Sequence, residues 1–235
     1  MCGMAFSIKK TFKLYGDGNW QRSSAQRLLL NTEKADGAYK KYKKEIMDSY
    51  LKQAGFLKWK SESYVRLNDI GLLEYIGLQK ERHGGRTFTV NFAVMPLYMP
   101  LQWEETNFGT RLGLYISKKD FWWDYKDDKT ARKSFENVRD AIELYLIPWF
   151  EKYSDEVEYR QTLTDAVNGN QSDYLTATSR YYEKWLAYLH AKNGNKEEVA
   201  KIFSLNEMDE KIFLEGGVEK IVSENMDRLK LPKGL

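Results

Sequence analysis

The chain has 235 residues, enough for one large domain or a domain with an appendage, and at that size it needs no disulfide staple. A content of 42% apolar and 30% charged residues with four prolines is that of a globular protein and excludes a disordered chain. Lys plus Arg exceed Asp plus Glu by 37 to 34, and the resulting net charge of +3 is far from the dense basic stripe of a dedicated nucleic-acid binder.

Aromatic residues make up 14% of the chain, with seven Trp and sixteen Tyr. A ring-rich core and sheet surface accounts for them first, and an aromatic-lined binding surface is the second reading. The lone cysteine, Cys2, rules out an intramolecular disulfide, and with no apolar segment before it in this sequence it is not expected to be a lipoprotein anchor. Met1 to Ser7 is too short for a signal-peptide core, and Lys9, Lys10 and Lys13 follow it. No stretch approaches ~18 consecutive apolar residues. The expectation is a cytoplasmic protein with no membrane partner.

Residues 1–37 are expected to form an N-terminal arm. Phe12, Leu14 and Trp20 flank a turn at Gly16-Asp17-Gly18, and Leu28, Leu29 and Leu30 form an apolar knot. From Ala38 to Ala54 the spacing of Tyr39, Tyr42, Ile46, Tyr50 and Leu51 predicts a helix that stops at Gly55. Its Lys40, Lys41, Lys43 and Lys44, answered by Glu45 and Asp48, fit a solvated face. Phe56 opens a strand-like stretch. Tyr64 to Leu67 and Leu72 to Gln79 then read as strands joined at Asn68-Asp69, and Arg82-His83-Gly84-Gly85 is a second turn.

The clearest strand follows. Phe88, Val90, Phe92 and Val94 point one way, and Thr87, Thr89, Asn91 and Ala93 the other. Leu112, Leu114 and Ile116 alternate again, as do Phe121, Trp123 and Tyr125. The fold class expected is α+β, an antiparallel four- to five-stranded meander flanked by helices. Ala131, Phe135, Val138, Ile142 and Tyr145 then form a helical stripe that starts near Lys129 or Thr130 and is disturbed at Pro148. Residues 38–153 make one α+β unit. Residues 154–235 read as an all-helical C-terminal extension, with stripes through Leu175 to Leu189, Lys196 to Phe203, and from Met208 onward. Ser172 is placed as an N-cap.

Absences dominate the chemistry. His83 and His190, the two histidines, lie in a Gly-rich turn and near a helix end, where surface positions suffice to explain them. With Cys2 they lack the spacing of a zinc site, and no cofactor is expected. No Gly-x-Ser-x-Gly elbow is present, and neither Gly84-Gly85 nor Gly216-Gly217 has the context of a phosphate loop. The acidic–aromatic run Asp120-Phe121-Trp122-Trp123-Asp124-Tyr125 could carry paired carboxylates, but Asp127-Asp128 ahead of a helical stripe reads better as a helix entry. The second face of the sheet is the better candidate. Its binding residues are Asn91, Arg111, Tyr115 and Trp122, with Asp124 from the neighbouring run. That face either receives the helical tail or binds a partner.

The segments LKQAGFLKWKSESYV at 51–65 and RTFTVNFAV at 86–94, Arg111 to Leu114, Asp120-Phe121-Trp122-Trp123, and Ile147-Pro148-Trp149-Phe150 occur in that order. This set resembles a bacterial family known as domain of unknown function 4304, over about residues 38–153. The resemblance implies a bacterial cytoplasmic α+β protein and supplies no catalytic residues. By fold-level analogy, small proteins of this kind bind partners in immunity or regulation. The function expected is a non-catalytic module that binds another protein. The alternatives are an enzyme using carboxylate, Tyr or Lys acid–base chemistry on a small molecule, and a weak nucleic-acid binder.

Overall fold

The computed structural model describes residues 24–100, 108–170, 179–202 and 217–235. The expected turn at Gly16-Asp17-Gly18, the side chains of Leu28 to Leu30, the N-cap at Ser172 and the helix start at Met208 lie outside what is described. Helix α1 spans Ser24–Tyr42, so the helix anticipated from Ala38 begins earlier and crosses the boundary expected at residue 38. It continues through a π-helical stretch, Lys43–Asp48, into α2, Ser49–Gln53. Tyr39, Met47 and Leu51 line its buried face. Gly55, at a φ of +84°, supplies the left-handed residue that stops it.

Five strands follow in meander order, antiparallel throughout. They are β1 Leu57–Lys60, β2 Ser63–Leu67, β3 Leu72–Lys80, β4 Thr87–Pro96 and β5 Phe108–Arg111. The turn at Asn68-Asp69 closes through a side chain: the Leu72 amide donates to Asn68 Oδ1 at 2.9 Å. Strands β3 and β4 pair along their length, from Leu72 opposite Pro96 to Lys80 opposite Phe88.

Two expected strands are corrected. Leu112, Leu114 and Ile116 do not alternate along a strand, because Leu112–Ser117 is helix α3. In so short a run both periods fit, and the three-residue spacing prevails by turning Leu112 and Tyr115 toward the core. Of the alternation at Phe121, Trp123 and Tyr125 only β6, Trp123–Asp124, is strand, and it joins β4 beside β5 rather than extending the meander.

Helix α4, Asp128–Ala141, begins at the predicted acidic entry. Asp127 and Thr130 form a reciprocal capping box, with Thr130 N donating to Asp127 Oδ1 at 2.7 Å. The disturbance at Pro148 is a widening and not a break. A π-helical stretch, Ile142–Leu146, leads into α5, Ile147–Ser154, and the Ile147 amide bonds the Ile142 carbonyl five residues back. The wider turn accommodates a proline that has no amide hydrogen to offer. Helices α6 Glu156–Val167, α7 Ser179–Lys192, α8 Lys196–Ile202 and α9 Gly217–Leu229 complete the described chain.

One face of the sheet, carrying Tyr64, Ile76, Phe88, Val90, Phe92 and Val94, meets α1, α4 and α5 in the main apolar cluster. The cluster runs on into α6 and α7 through Tyr159, Leu163, Tyr182 and Trp185. The opposite face is covered at one end. Val65, Leu73, Met95 and Leu97 pack with Leu229 and Met226 of α9. Trp59 Nε1 donates to the Leu229 carbonyl at 2.9 Å. Buried Asn225 donates to the Leu97 and Met99 carbonyls at 2.8 and 2.7 Å. The tail therefore covers part of the sheet face that was expected either to receive it or to bind a partner. Among the described residues no helix is long and apolar enough to cross a membrane.

Asn225→Leu strands both carbonyls without a donor, which costs about 1–3 kcal/mol. The expected result is a lower urea midpoint together with faster proteolysis within α9. A midpoint equal to that of the wild type would show that the apolar contacts of Met226 and Leu229 hold the helix alone.

Candidate functional site

Where α9 ends, the second sheet face opens into a groove of about 760 Å³. Its walls include Trp59 and Ser63 of β1 and β2, Tyr75 and Gln79 of β3, Asn91 of β4 and Arg111 at the end of β5. The register explains the grouping, since Ser63 lies opposite Gly77, Gly77 opposite Asn91, and Asn91 opposite Arg111. Directly opposed residues share a sheet face. Asn91 Nδ2 donates a hydrogen bond to Gln79 Oε1 at 3.0 Å. The Tyr75 ring lies along its own strand over Gly77, where a β-carbon would sit 2.0 Å from the Tyr75 hydroxyl. Glycine at 77 thus keeps the ring down and the groove open.

The rim at the β5 end is built from the acidic–aromatic run. Arg111 Nη1 pairs with Asp120 Oδ2, and Trp122 Nε1 donates to the same oxygen at 3.1 Å. The guanidinium carbon lies 5.3 Å from the centre of the Trp122 ring. Asp120 therefore fixes the guanidinium and the indole relative to each other. Phe121, 51% exposed, packs edge-on against Trp123 at 4.9 Å.

Of the five candidates, the structure brings Asn91, Arg111 and Trp122 together and leaves two apart. Tyr115 packs against Phe92 on the main-core side, with ring centres 5.6 Å apart, because α3 reverses the facing that a strand would have given it. Asp124 lies opposite Thr87, four residues along β4 from Asn91, and pairs with Lys126 at 2.8 Å. Trp59, Lys60, Ser63, Tyr75 and Gln79 are among the groove residues that sequence reasoning missed. Alternation would have put Tyr75 and Gln79 on one face, but nothing in the sequence shows which β3 residue meets Asn91.

A second polar cluster lies under α1. Lys43, expected on a solvated face, is 7% exposed. Its Nζ donates to the Ser61 carbonyl and lies 3.7 Å from Glu62, which accepts from the Tyr39 hydroxyl at 2.8 Å. Burial lowers the Lys43 pKa below the usual lysine value, against the attraction of Glu62. This lysine holds the β1–β2 turn against the helix. Of the histidines, His83 is exposed, whereas His190 is half-buried rather than on the surface, and burial holds its pKa below the ordinary value. Among the described residues no group of three or more His, Cys, Asp or Glu is placed to hold a metal ion.

The groove lining contains no carboxylate, imidazole or thiol. Its charged residues, Lys60 and Arg111, are both cations, and its other polar groups are hydroxyls, amides and the Trp59 and Tyr75 rings. Such a set can hold a ligand by stacking, hydrogen bonding and charge. It lacks a general base of ordinary strength near neutral pH.

The fold and the groove define an α+β protein with one sheet face packed on helices and the other partly open. Residues 47–152 match the family model described as Domain of unknown function (DUF4304), and the chain carries that domain, from the π-helical stretch after α1 to α5. No curated protein and no solved structure gives a significant match.

Proposed function

We propose that the protein is a non-catalytic module that binds another protein through the groove on the sheet. The observation that carries this reading is the extent of the groove, which reaches from Trp59 on β1 to Arg111 on β5. It therefore crosses all five strands. Four inter-strand steps of about 4.8 Å make that roughly 19 Å. A small metabolite does not reach both ends. An extended peptide advancing about 3.3 Å per residue spans it with roughly six residues. The absence of carboxylate, imidazole and thiol from the lining supports binding over catalysis.

Gly77→Ala tests the groove without removing a hydrogen-bonding group. The new methyl group must push the Tyr75 ring up into the groove, and a side-chain tip yields more easily than backbone. Tagged wild type and variant are compared in pull-downs from a lysate of the producing organism, with a high-salt wash. The expected result is one stoichiometric protein held by the wild type and lost from Gly77→Ala, whose thermal midpoint stays within a few degrees. Equal retention by both, or none by the wild type, would overturn the reading.

A further inference from the structure

Resting on the groove reading, the geometry points to the chemistry of the occupant: we infer that the groove takes an extended acidic segment of a protein partner, with a carboxylate seated on Arg111. The lining places a cation near each end of the groove and no carboxylate between them. Lys60 stands at the β1 end, its ammonium 4.0 Å from the centre of the Trp59 ring. Arg111 stands at the β5 end. A chain carrying negative charge meets attraction at the Arg111 guanidinium and repulsion from no lining residue. A basic chain meets the reverse.

The Arg111 side is prepared for a second acceptor. The guanidinium carries five N–H donors in a rigid plane, and Asp120 engages Nη1. Among the described residues Nε and Nη2 of Arg111 have no hydrogen-bond partner. The Arg111 side chain is 34% exposed, so those donors are within reach of an incoming group. Asp120 and Trp122 hold the guanidinium plane in place, which removes much of the ordering cost that a free arginine would incur on binding. A carboxylate arriving from the groove accepts from the remaining edge. It also shares the guanidinium charge with Asp120, so Asp120 tempers the affinity as well as orienting the seat.

The floor between the cations suits an extended backbone with alternating side chains. The Gln79–Asn91 amide pair and the Ser63 hydroxyl, which lies 3.4 Å from the Tyr75 hydroxyl, offer hydrogen-bonding groups to the peptide. The Tyr75 and Trp59 rings, 6.2 Å apart, offer an apolar step. The occupant is thus acidic where it meets Arg111 and apolar or aromatic near its middle.

The test uses two fluorescein-labelled peptides of about eight residues, a Thr-Tyr-Val core flanked by glutamates and its twin flanked by glutamines, followed by anisotropy on the full chain. At about 50 mM salt the acidic peptide should bind at least ~10-fold more tightly than the neutral one, and the difference should shrink at about 0.5 M salt as screening shortens. Arg111→Gln should abolish the preference by weakening binding of the acidic peptide at least ~10-fold. Asp120→Asn should raise the affinity for the acidic peptide ~2- to 3-fold, a gain that misfolding cannot produce. A preference that survives Arg111→Gln, or a loss of affinity in Asp120→Asn, would overturn the proposal. Equal binding of both peptides, lost in Gly77→Ala, would overturn the acidic preference and leave the groove reading standing. Binding of neither peptide would overturn the proposal also, and the groove reading would then rest on the pull-down alone.

Discussion

Replacing Glu74 by alanine should destabilise the protein by about 3 kcal/mol. Glu74 projects from the middle of the sheet into the main core, and its side chain is fully buried. Arg66 Nε donates to one of its oxygens at 2.5 Å and Ser154 Oγ to the other at 3.2 Å. Arg66 also donates to the Ala54 carbonyl at 2.8 Å and lies over the Phe56 ring at 4.6 Å. The pair thus joins the end of α2, two strands and the end of α5. Breaking a buried pair by deleting one partner costs about 3–5 kcal/mol, and the lower end applies because Arg66 is 26% exposed and regains some water. Urea denaturation measures the change, and a loss below about 1 kcal/mol would show the pair to be dispensable. The pH dependence separates charge from shape. Burial raises the Glu74 pKa above the ordinary glutamate value, against the hydrogen bonds from Arg66, Ser154 and Asn68. A raised pKa means that the folded state holds the proton more tightly. The contribution of Glu74 is therefore fully present below the unfolded pKa of about 4.3 and is lost as pH rises through the folded value. Relative to Glu74→Gln, which does not titrate, the wild type should lose stability from about pH 4 upward. The opposite slope would show that Arg66 outweighs burial.

Periodicity revealed the long elements because their buried stripes are long enough to exclude the competing period. Strand β4 alternates over ten residues, and the stripe of α4 repeats over fourteen. Short elements gave no such margin. Six residues from Leu112 to Ser117 satisfy both periods, and only the packing of Tyr115 on Phe92 decides for helix. That one reversal removed Tyr115 from the candidate site, while Arg111, the last strand residue before the helix, kept its place. Lys43 was misplaced for another reason. It stands one helical turn after buried Tyr39, and its charge within a lysine-rich run masked the i, i+4 spacing that puts it on the inner face. Glu74 shows the same limit from the other side. A carboxylate in an alternating apolar strand reads as a break in the pattern, and its partner on β2 becomes visible only once Arg66 is seen opposite it. The groove itself is a property of register and of where α9 stops, and neither is written in local sequence. Its aromatic content was legible as an excess of Trp and Tyr, but most of those rings lie in the main core.

Phe92→Ala should cost about 3–5 kcal/mol, the range for deleting a buried aromatic ring. Phe92 is 2% exposed, and its ring meets Trp149 at 4.8 Å, Tyr115 at 5.6 Å and Phe150 at 6.4 Å, each edge-to-face. It is therefore where the sheet, α3 and α5 interlock. Trp149 and Phe150, which follow Pro148, reach it because the π-helical stretch lets the helix continue past the proline. A cavity there loosens the helices on one side of β4 while Asn91 and Ala93, on the adjacent positions, face the groove on the other. A double-mutant cycle of Phe92→Leu with Trp149→Leu isolates the ring–ring contribution from the cavity, and a coupling of about 0.5–1.5 kcal/mol is expected. Zero coupling would mean that the two rings are held by their separate neighbours and that the interlock lies elsewhere. A coupling accompanied by weaker binding of the acidic peptide would link core packing to the groove floor through the shared backbone of β4. That link follows from the alternation of a strand, in which successive side chains serve opposite faces and a shift made by one is felt by the next.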